Sequence, residues 1–254
     1  MPLPGLRSQW FLWNPRWTSL LGSAPSPPTP VAGRIWVHSG PRPQRPPCTL
    51  IPTGYAAIWH QTRIRADLFD AVENFLDPMH TPFIHPGLVR SEGARSPTRV
   101  RIERGPDSIE AIYERPRHSG LIRSVFGLSI DQTRGRFRPP SLVELDYLAQ
   151  GSLRLRILLG FTPISSTELG LSVGLFSPLP RVVASLVSLP LLPLLHLALR
   201  QDAAILALKL DHESACFSDR RYVHTPNDLL GPHILQWMKS ARLGGRNREV
   251  TVLL

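Results

Sequence analysis

Twelve of the chain's 27 prolines fall within its first 53 residues. Runs such as Pro25-Ser26-Pro27-Pro28-Thr29-Pro30 and Pro41-Arg42-Pro43-Gln44-Arg45-Pro46-Pro47 cannot propagate a helix or a central strand, because proline fixes φ and offers no N–H. A cooperative core therefore has to be built downstream, and 254 residues leave enough chain to build one. The expected organisation is a Pro/Arg-rich disordered tail over 1–32, a folded domain over 33–240 and a C-terminal tail over 241–254. Gly33-Arg34-Ile35-Trp36-Val37-His38 reads as a short strand-like island. The first thirty residues faintly resemble a transit peptide, but no uninterrupted apolar run of signal-peptide length precedes the prolines, so a tail is preferred to a targeting segment.

Charge follows the same division. The net charge is +10, yet no acid precedes Asp67, while Arg7, Arg16, Arg34, Arg42, Arg45, Arg63 and Arg65 all do. From Asp67 onward 22 basic residues face 19 acidic ones, so the basicity belongs to the leading segment and no nucleic-acid partner is expected. Cys48 and Cys216 belong to no Cys-x-x-Cys pair and cannot build a disulfide framework, which points to a reducing cytoplasm.

Helical spacing begins at Asp67, where Leu68, Val72, Phe75 and Leu76 recur on one face. Alternating segments follow at 100–104, 108–113, 141–147, 152–158 and 168–176, with a turn at Gly105-Pro106-Asp107. Helix, then antiparallel strands, then helices is the order of an α+β domain with helices packed on an antiparallel sheet. Val182 to Leu199 is the most apolar stretch, interrupted by Pro190, Pro193 and His196. It reads as a helical hairpin or kinked helix buried against the sheet, with peripheral membrane contact as the alternative. A last helix is expected over 227–238, opened by Pro226-Asn227-Asp228.

The segment with chemical content is Asn74-Phe75-Leu76-Asp77-Pro78-Met79-His80-Thr81-Pro82-Phe83-Ile84-His85-Pro86-Gly87. Residues five apart subtend about 140° on an ideal helix, so His80 and His85 converge on one ion only if the helix breaks between them, and Pro82 supplies a break. Asp77 lies one turn before His80, where its carboxylate could accept the ring N–H that faces away from a metal. Asp202, just after the apolar stretch, is the best candidate for a third ligand, with Asp211 and Glu213 as rivals. Two imidazoles and one carboxylate with open positions suit an Fe(II) site that activates oxygen.

Glu73-Asn74-Phe75-Leu76-Asp77-x-x-His80-x-x-x-x-His85-x-Gly87 resembles the iron-binding motif of Rieske non-haem iron oxygenases of the vanillate O-demethylase and pheophorbide a oxygenase branch. Gln201-Asp202-x-x-Ile205-Leu206 resembles the segment bearing that family's carboxylate ligand. The strand-like island at 33–40 and the segment from Thr225 to Trp237 resemble further family elements. The resemblance implies a helix-grip (START-like) α+β domain in which His80, His85 and Asp202 bind Fe(II). It further implies that Asp77 bridges toward a neighbouring subunit's Rieske cluster and that Asn74 sits beside the iron. O2, an apolar or aromatic substrate to be hydroxylated or demethylated, a reductase or ferredoxin donor and a homotrimer are implied in the same way.

The family's [2Fe-2S] cluster needs a Cys-x-His and a Cys-x-x-His, and this sequence contains neither. The expectation is either a truncated product, which is favoured, or electrons received from a separate chain. A redox-incompetent helix-grip module binding an apolar ligand is the alternative function. His196 reads as a satisfied core histidine, Cys216 as a small buried hydrophobe, and His60, His118, His212, His224 and His233 carry no assignment.

Overall fold

The computed structural model describes residues 52–88, 95–114, 130–216, 222–244 and 246–254, together with strand segments at 10–13, 29–31 and 34–38. Those three segments are β1 (Trp10–Trp13), β2 (Thr29–Val31) and β3 (Arg34–His38), which form a small antiparallel sheet in the order β1-β3-β2. The island at 33–38 is thus a strand, and the expected disordered tail over 1–32 is corrected at β1 and β2. All three strands are short, as proline-rich flanks dictate.

The main sheet has eight strands. They are β4 (Ala56–Arg65), β5 (Pro97–Arg104), β6 (Ile109–Glu114), β7 (Gln132–Arg138), β8 (Leu142–Ala149), β9 (Ser152–Pro163), β10 (Glu168–Ser177) and β11 (Arg248–Leu253). Their spatial order is β11-β5-β6-β7-β8-β9-β10-β4, antiparallel throughout. Sequential strands from β5 to β10 are neighbours, which short connections favour. β4 and β11 form the two edges of the sheet, and β11 corrects the expected C-terminal tail over 241–254.

Among the described residues four helices accompany the sheet: α1 (Leu68–Leu76), the single turn α2 (Thr81–Ile84), α3 (Arg181–Cys216) and α4 (Gly231–Ser240). One core joins Leu68, Ala71 and Val72 of α1 to Val100, Phe137, Val143, Phe161 and Val173 of the sheet and to Ile234 and Trp237 of α4. The α+β class with helices packed on an antiparallel sheet is as expected.

The opposite face of β6 to β9 carries charge. Register places Glu110, Arg136 and Glu144 side by side on three strands and Asp146 beside Arg156. Arg136 binds Glu110 and Glu144 at 2.6 Å each, Arg138 also reaches Glu144, and Arg156 binds Asp146 at 2.6 Å. Glu144 is only 1% exposed, so these cross-strand pairs are what make its charge tolerable.

Helix α3 departs from expectation. It runs unbroken through Pro190 and Pro193 for 36 residues instead of forming a hairpin. Its first half is only partly buried: Ala184 and Leu191 pack inward, whereas Val182, Leu186, Leu189 and Leu197 face solvent, and Leu189 is 70% exposed. Leu189–Glu213 is long and apolar enough to cross a membrane by length and composition alone. The second half turns inward, with Leu199, Asp202, Leu206 and Leu210 buried at helical spacing. Helix α4 begins at Gly231 with Leu230 as its N-cap, later than the expected 227, because Thr225 to Asp228 form a turn in which Asp228 accepts the Thr225 N–H at 2.5 Å.

Candidate metal centre

The site begins where α1 stops. Asp67 caps the helix by accepting the Phe69 N–H at 2.8 Å, and Leu68, Val72 and Leu76 are buried on its inner face. Pro78 disfavours helical φ/ψ at the residue before it, so Asp77 is extended, at φ −86 and ψ 110, and ends the helix. The Asp77 carboxylate then accepts the Met79 N–H at 2.8 Å and opens a 3-10 turn over Pro78–His80. Thr81 follows as the first residue of α2, with Pro82 in its first turn, where a missing N–H costs nothing. His85 caps the C-terminus of α2, its N–H donating to Thr81 O at 3.1 Å, and Gly87 at φ +75 carries the chain away.

The break that separates the two histidines from one continuous helix is therefore a compound one. Pro78 ends α1, a 3-10 turn presents His80, and a single α-turn containing Pro82 presents His85. The two rings meet edge to face with centroids 5.3 Å apart.

Asp202 arrives from α3, more than a hundred residues later, and is 4% exposed between buried Leu199 and Leu206. Its Oδ1 lies 3.1 Å from His85 Nε2 and 3.5 Å from His80 Nε2, and it accepts the Asn74 amide N–H at 3.0 Å. Burial pushes the Asp202 carboxyl up, but the hydrogen bonds from both imidazoles outweigh it and hold the group at about 2. Burial pushes the His85 imidazole down, yet the Asp202 carboxylate overrides it and the net direction is up.

Geometry offers a fit test for a metal. Nitrogen and oxygen ligands about 2.1 Å from a shared ion lie roughly 3.0 Å apart at right angles and roughly 3.4 Å apart at tetrahedral angles. The separations of 3.1 and 3.5 Å match such ligand edges. Among the described residues, His80, His85 and Asp202 form a group whose candidate ligand atoms all lie within 4.8 Å of one another. The donor set of two imidazoles and one carboxylate fits a divalent iron with open positions.

Groups on the far side of each ligand fix its orientation. His85 Nδ1 is 2.8 Å from the Gln201 side-chain oxygen, and His80 Nδ1 donates to the main-chain carbonyl of Asp77. The expected contact between the Asp77 carboxylate and His80 is thus corrected. Because Asp77 sits outside the helix, its carbonyl, not its side chain, points at the ring.

The rival carboxylates lie elsewhere. Asp211 pairs with Arg65 at 2.6 Å on the surface, and Glu213 lies 3.9 Å from Lys209. His196, read as a core histidine, is exposed and stands edge-on to His60, with centroids 5.5 Å apart. Gln201 is the site residue that sequence reasoning passed over. Its one signal was its place beside Asp202.

A cavity of about 190 Å³ borders the site from behind α1. Asp70, Glu73, Asp77, Asp228 and Lys209 line it together with Asn74, and neither imidazole reaches it. Apolar Leu76, Ile205, Leu206, Leu229, Leu230 and Ile234 complete its wall. Burial, reinforced by neighbouring carboxylates, pushes Glu73 there up to about 7.

A family model described as the vanillate O-demethylase oxygenase C-terminal domain matches residues 64–243. The chain belongs to this family. The matched range opens within β4 and ends past α4, so it takes in α1, both histidines and Asp202. The chain also resembles solved structures. Dicamba monooxygenase bound to 3,6 dichlorosalicylic acid superposes with a TM-score of 0.66 at 11% identity, over 84% of this chain and 68% of that one. NdmA of Pseudomonas putida CBB5 with caffeine gives 0.64 at 16% identity, over 84% of this chain and 60% of that one. NdmB from the same organism gives 0.55 at 13% identity over 82% and 57%. At such identities the likeness is one of fold, and it is the fold of the Rieske oxygenase catalytic domain. The chain thus spans about three fifths to two thirds of these proteins' lengths. Comparison with curated protein sequences gave no match.

Proposed function

We propose that His80, His85 and Asp202 hold one Fe(II) ion, and that the chain is the catalytic part of an oxygenase acting on an apolar, aromatic small molecule. Bound there, ferrous iron would supply the activation of O2. The observation that carries this reading is the convergence of three ligand atoms from two segments far apart in sequence, at separations that fit a shared coordination sphere. The protein's own work is orientation. Asn74 holds Asp202 through its amide, the Asp77 carbonyl holds His80, and the three-donor cluster keeps a carboxylate ionised in a site closed by Leu199 and Leu206.

The choice of an aromatic substrate rests on the company the fold keeps, since dicamba monooxygenase and NdmA are crystallised with a dichlorosalicylic acid and with caffeine. Asp77 is assigned the relay toward a Rieske [2Fe-2S] centre. The cysteine–histidine pairs of that cluster are not among these 254 residues, and a reductase or ferredoxin would feed the centre. The rival reading is a redox-incompetent module that binds an apolar ligand.

Metal analysis after anaerobic Fe(II) reconstitution and desalting tests the centre. Stoichiometric iron is expected in the wild type and its loss in His80→Ala, His85→Ala and Asp202→Ala. Iron retained by all three variants refutes the ligand set. Turnover of an aromatic substrate with a separately supplied Rieske protein supports the oxygenase over the module, and iron bound without any turnover favours the module.

A further inference from the structure

We infer that Gln201 is a positioning residue for the metal centre: its side-chain oxygen holds the proton of His85 on Nδ1, so that Nε2 is presented bare to the ion. The inference rests on the metal-centre reading above and extends it to a residue outside the ligand set. The three ligands are oriented by three neutral groups of different kinds. A main-chain carbonyl serves His80, the Asn74 amide serves Asp202, and the Gln201 amide oxygen, at 2.8 Å from Nδ1, serves His85. A backbone carbonyl cannot rotate away, but a glutamine side chain can, so the orientation of His85 depends on one replaceable residue.

The direction of that hydrogen bond is fixed by what the other nitrogen must do. Nε2 faces Asp202 Oδ1 at 3.1 Å, on the side where the ligand atoms converge. A ring that ligates through Nε2 carries its proton on Nδ1, and the partner of Nδ1 must then accept. Gln201 can do so only with its oxygen toward the ring. With the amide reversed, its N–H would donate to Nδ1, leave the proton on Nε2 and block ligation.

Position on α3 adds a second consequence. Gln201 and Asp202 are adjacent, so one helix delivers a ligand and the device that orients another ligand. The centre closes only when α3 brings both. An amide in place of the carboxylate that often backs a metal-bound histidine also leaves no second negative charge beside the ion, so His85 is a weaker donor than a carboxylate-backed one.

The test compares full-length wild type with Gln201→Leu, which keeps the bulk and helix propensity but removes the acceptor, and Gln201→Glu, which keeps an acceptor. Zn(II) serves as a diamagnetic probe for calorimetry and for nitrogen-15 NMR of the imidazoles. The wild type is expected to show a sharp, slowly exchanging His85 Hδ1 resonance with Zn(II) bound. Gln201→Leu is expected to lose that protection and bind Zn(II) about ten- to a hundredfold more weakly, the usual range for such partners. Gln201→Glu is expected to restore both. A purely structural role would lower the melting temperature of the variants without moving the Hδ1 signal, and that outcome overturns the inference. So does a Gln201→Leu protein that matches wild type in affinity and Hδ1 protection. Failure of the wild type itself to bind Zn(II) and Fe(II) would instead overturn the metal-centre reading beneath it.

Discussion

Replacing Asp202 by Asn in the metal-free protein is expected to cost about 2 kcal/mol of stability near neutral pH. The magnitude follows from the carboxyl, displaced from 3.8 to about 2 by the imidazoles that donate to it, at about 1.4 kcal/mol per pH unit. A carboxyl whose value is lowered by folding contributes stability that is fully present above its ordinary range and is lost as pH falls through about 2. His85, raised from 6.5, behaves in the opposite sense: its contribution is complete below 6.5 and is lost as pH rises through its folded value. The gap between wild type and variant should therefore be widest between about pH 4 and 6.5 and should narrow in alkali. Urea unfolding of chelator-treated proteins reads the gap directly, and a domain of this size should also melt roughly 4–8 °C lower. Metal added to both widens the difference by mass action on the wild type alone. A variant as stable as wild type at about pH 6 would show that the burial cost of the carboxylate cancels its donors. The electrostatic account of the site would then be wrong.

Other consequences are open to the same methods. Arg136→Met should destabilise by about 3 kcal/mol in chemical denaturation, because it strips Glu110 and the buried Glu144 of their 2.6 Å partner and leaves Glu144 with Arg138 and a distant Arg156. Gly174→Ala should cost about 1–3 kcal/mol and perturb tryptophan fluorescence, since the new methyl would stand 2.7 Å from the Trp59 ring and 2.9 Å from Phe176. Glu73→Gln should match wild type at about pH 4 and exceed it in stability at about pH 8, because a carboxyl raised from 4.5 to about 7 by burial opposes folding progressively as pH rises through that window.

What the sequence made legible was what local chemistry writes into adjacent residues. The strands at 100–104, 108–113, 152–158 and 168–176 announce themselves by the alternation of larger apolar residues with polar or small ones, although the last is buried on both faces. The strands β4, β7 and β11 do not. Gln132–Arg138 reads as polar and basic because its outward face carries Arg134, Arg136 and Arg138, and the acids that neutralise Arg136 and Arg138 lie on other strands. Arg248–Leu253 is an edge strand with mostly exposed residues, whose evidence for pairing is its partner β5. The histidine pair was legible from its prolines. The hydrogen bond it makes with Asp77 was not, because the extended conformation that Pro78 imposes moves the carboxylate off the ring and puts the carbonyl in its place.

The length of α3 ties these observations together. Thirty-six residues are far more than the ligand needs, and Pro190 and Pro193 each remove a hydrogen bond from its first half. That half leaves Leu186, Leu189 and Leu197 in solvent, while the second half buries Leu199, Leu206 and Leu210 around Asp202. These three leucines pack the turns that hold the carboxylate, where a displacement of even one ångström would separate it from two imidazoles fixed on α1's extension. Asp70 on α1 binds Lys209 of α3 at 2.8 Å, two turns beyond Asp202, and pins the same register from the other side. The two segments that supply the ligands are therefore clamped together by Leu206, by Lys209 and by Asn74, all outside the ligand set. Geometry at the centre is a property of the α1–α3 interface, not of the histidine motif alone.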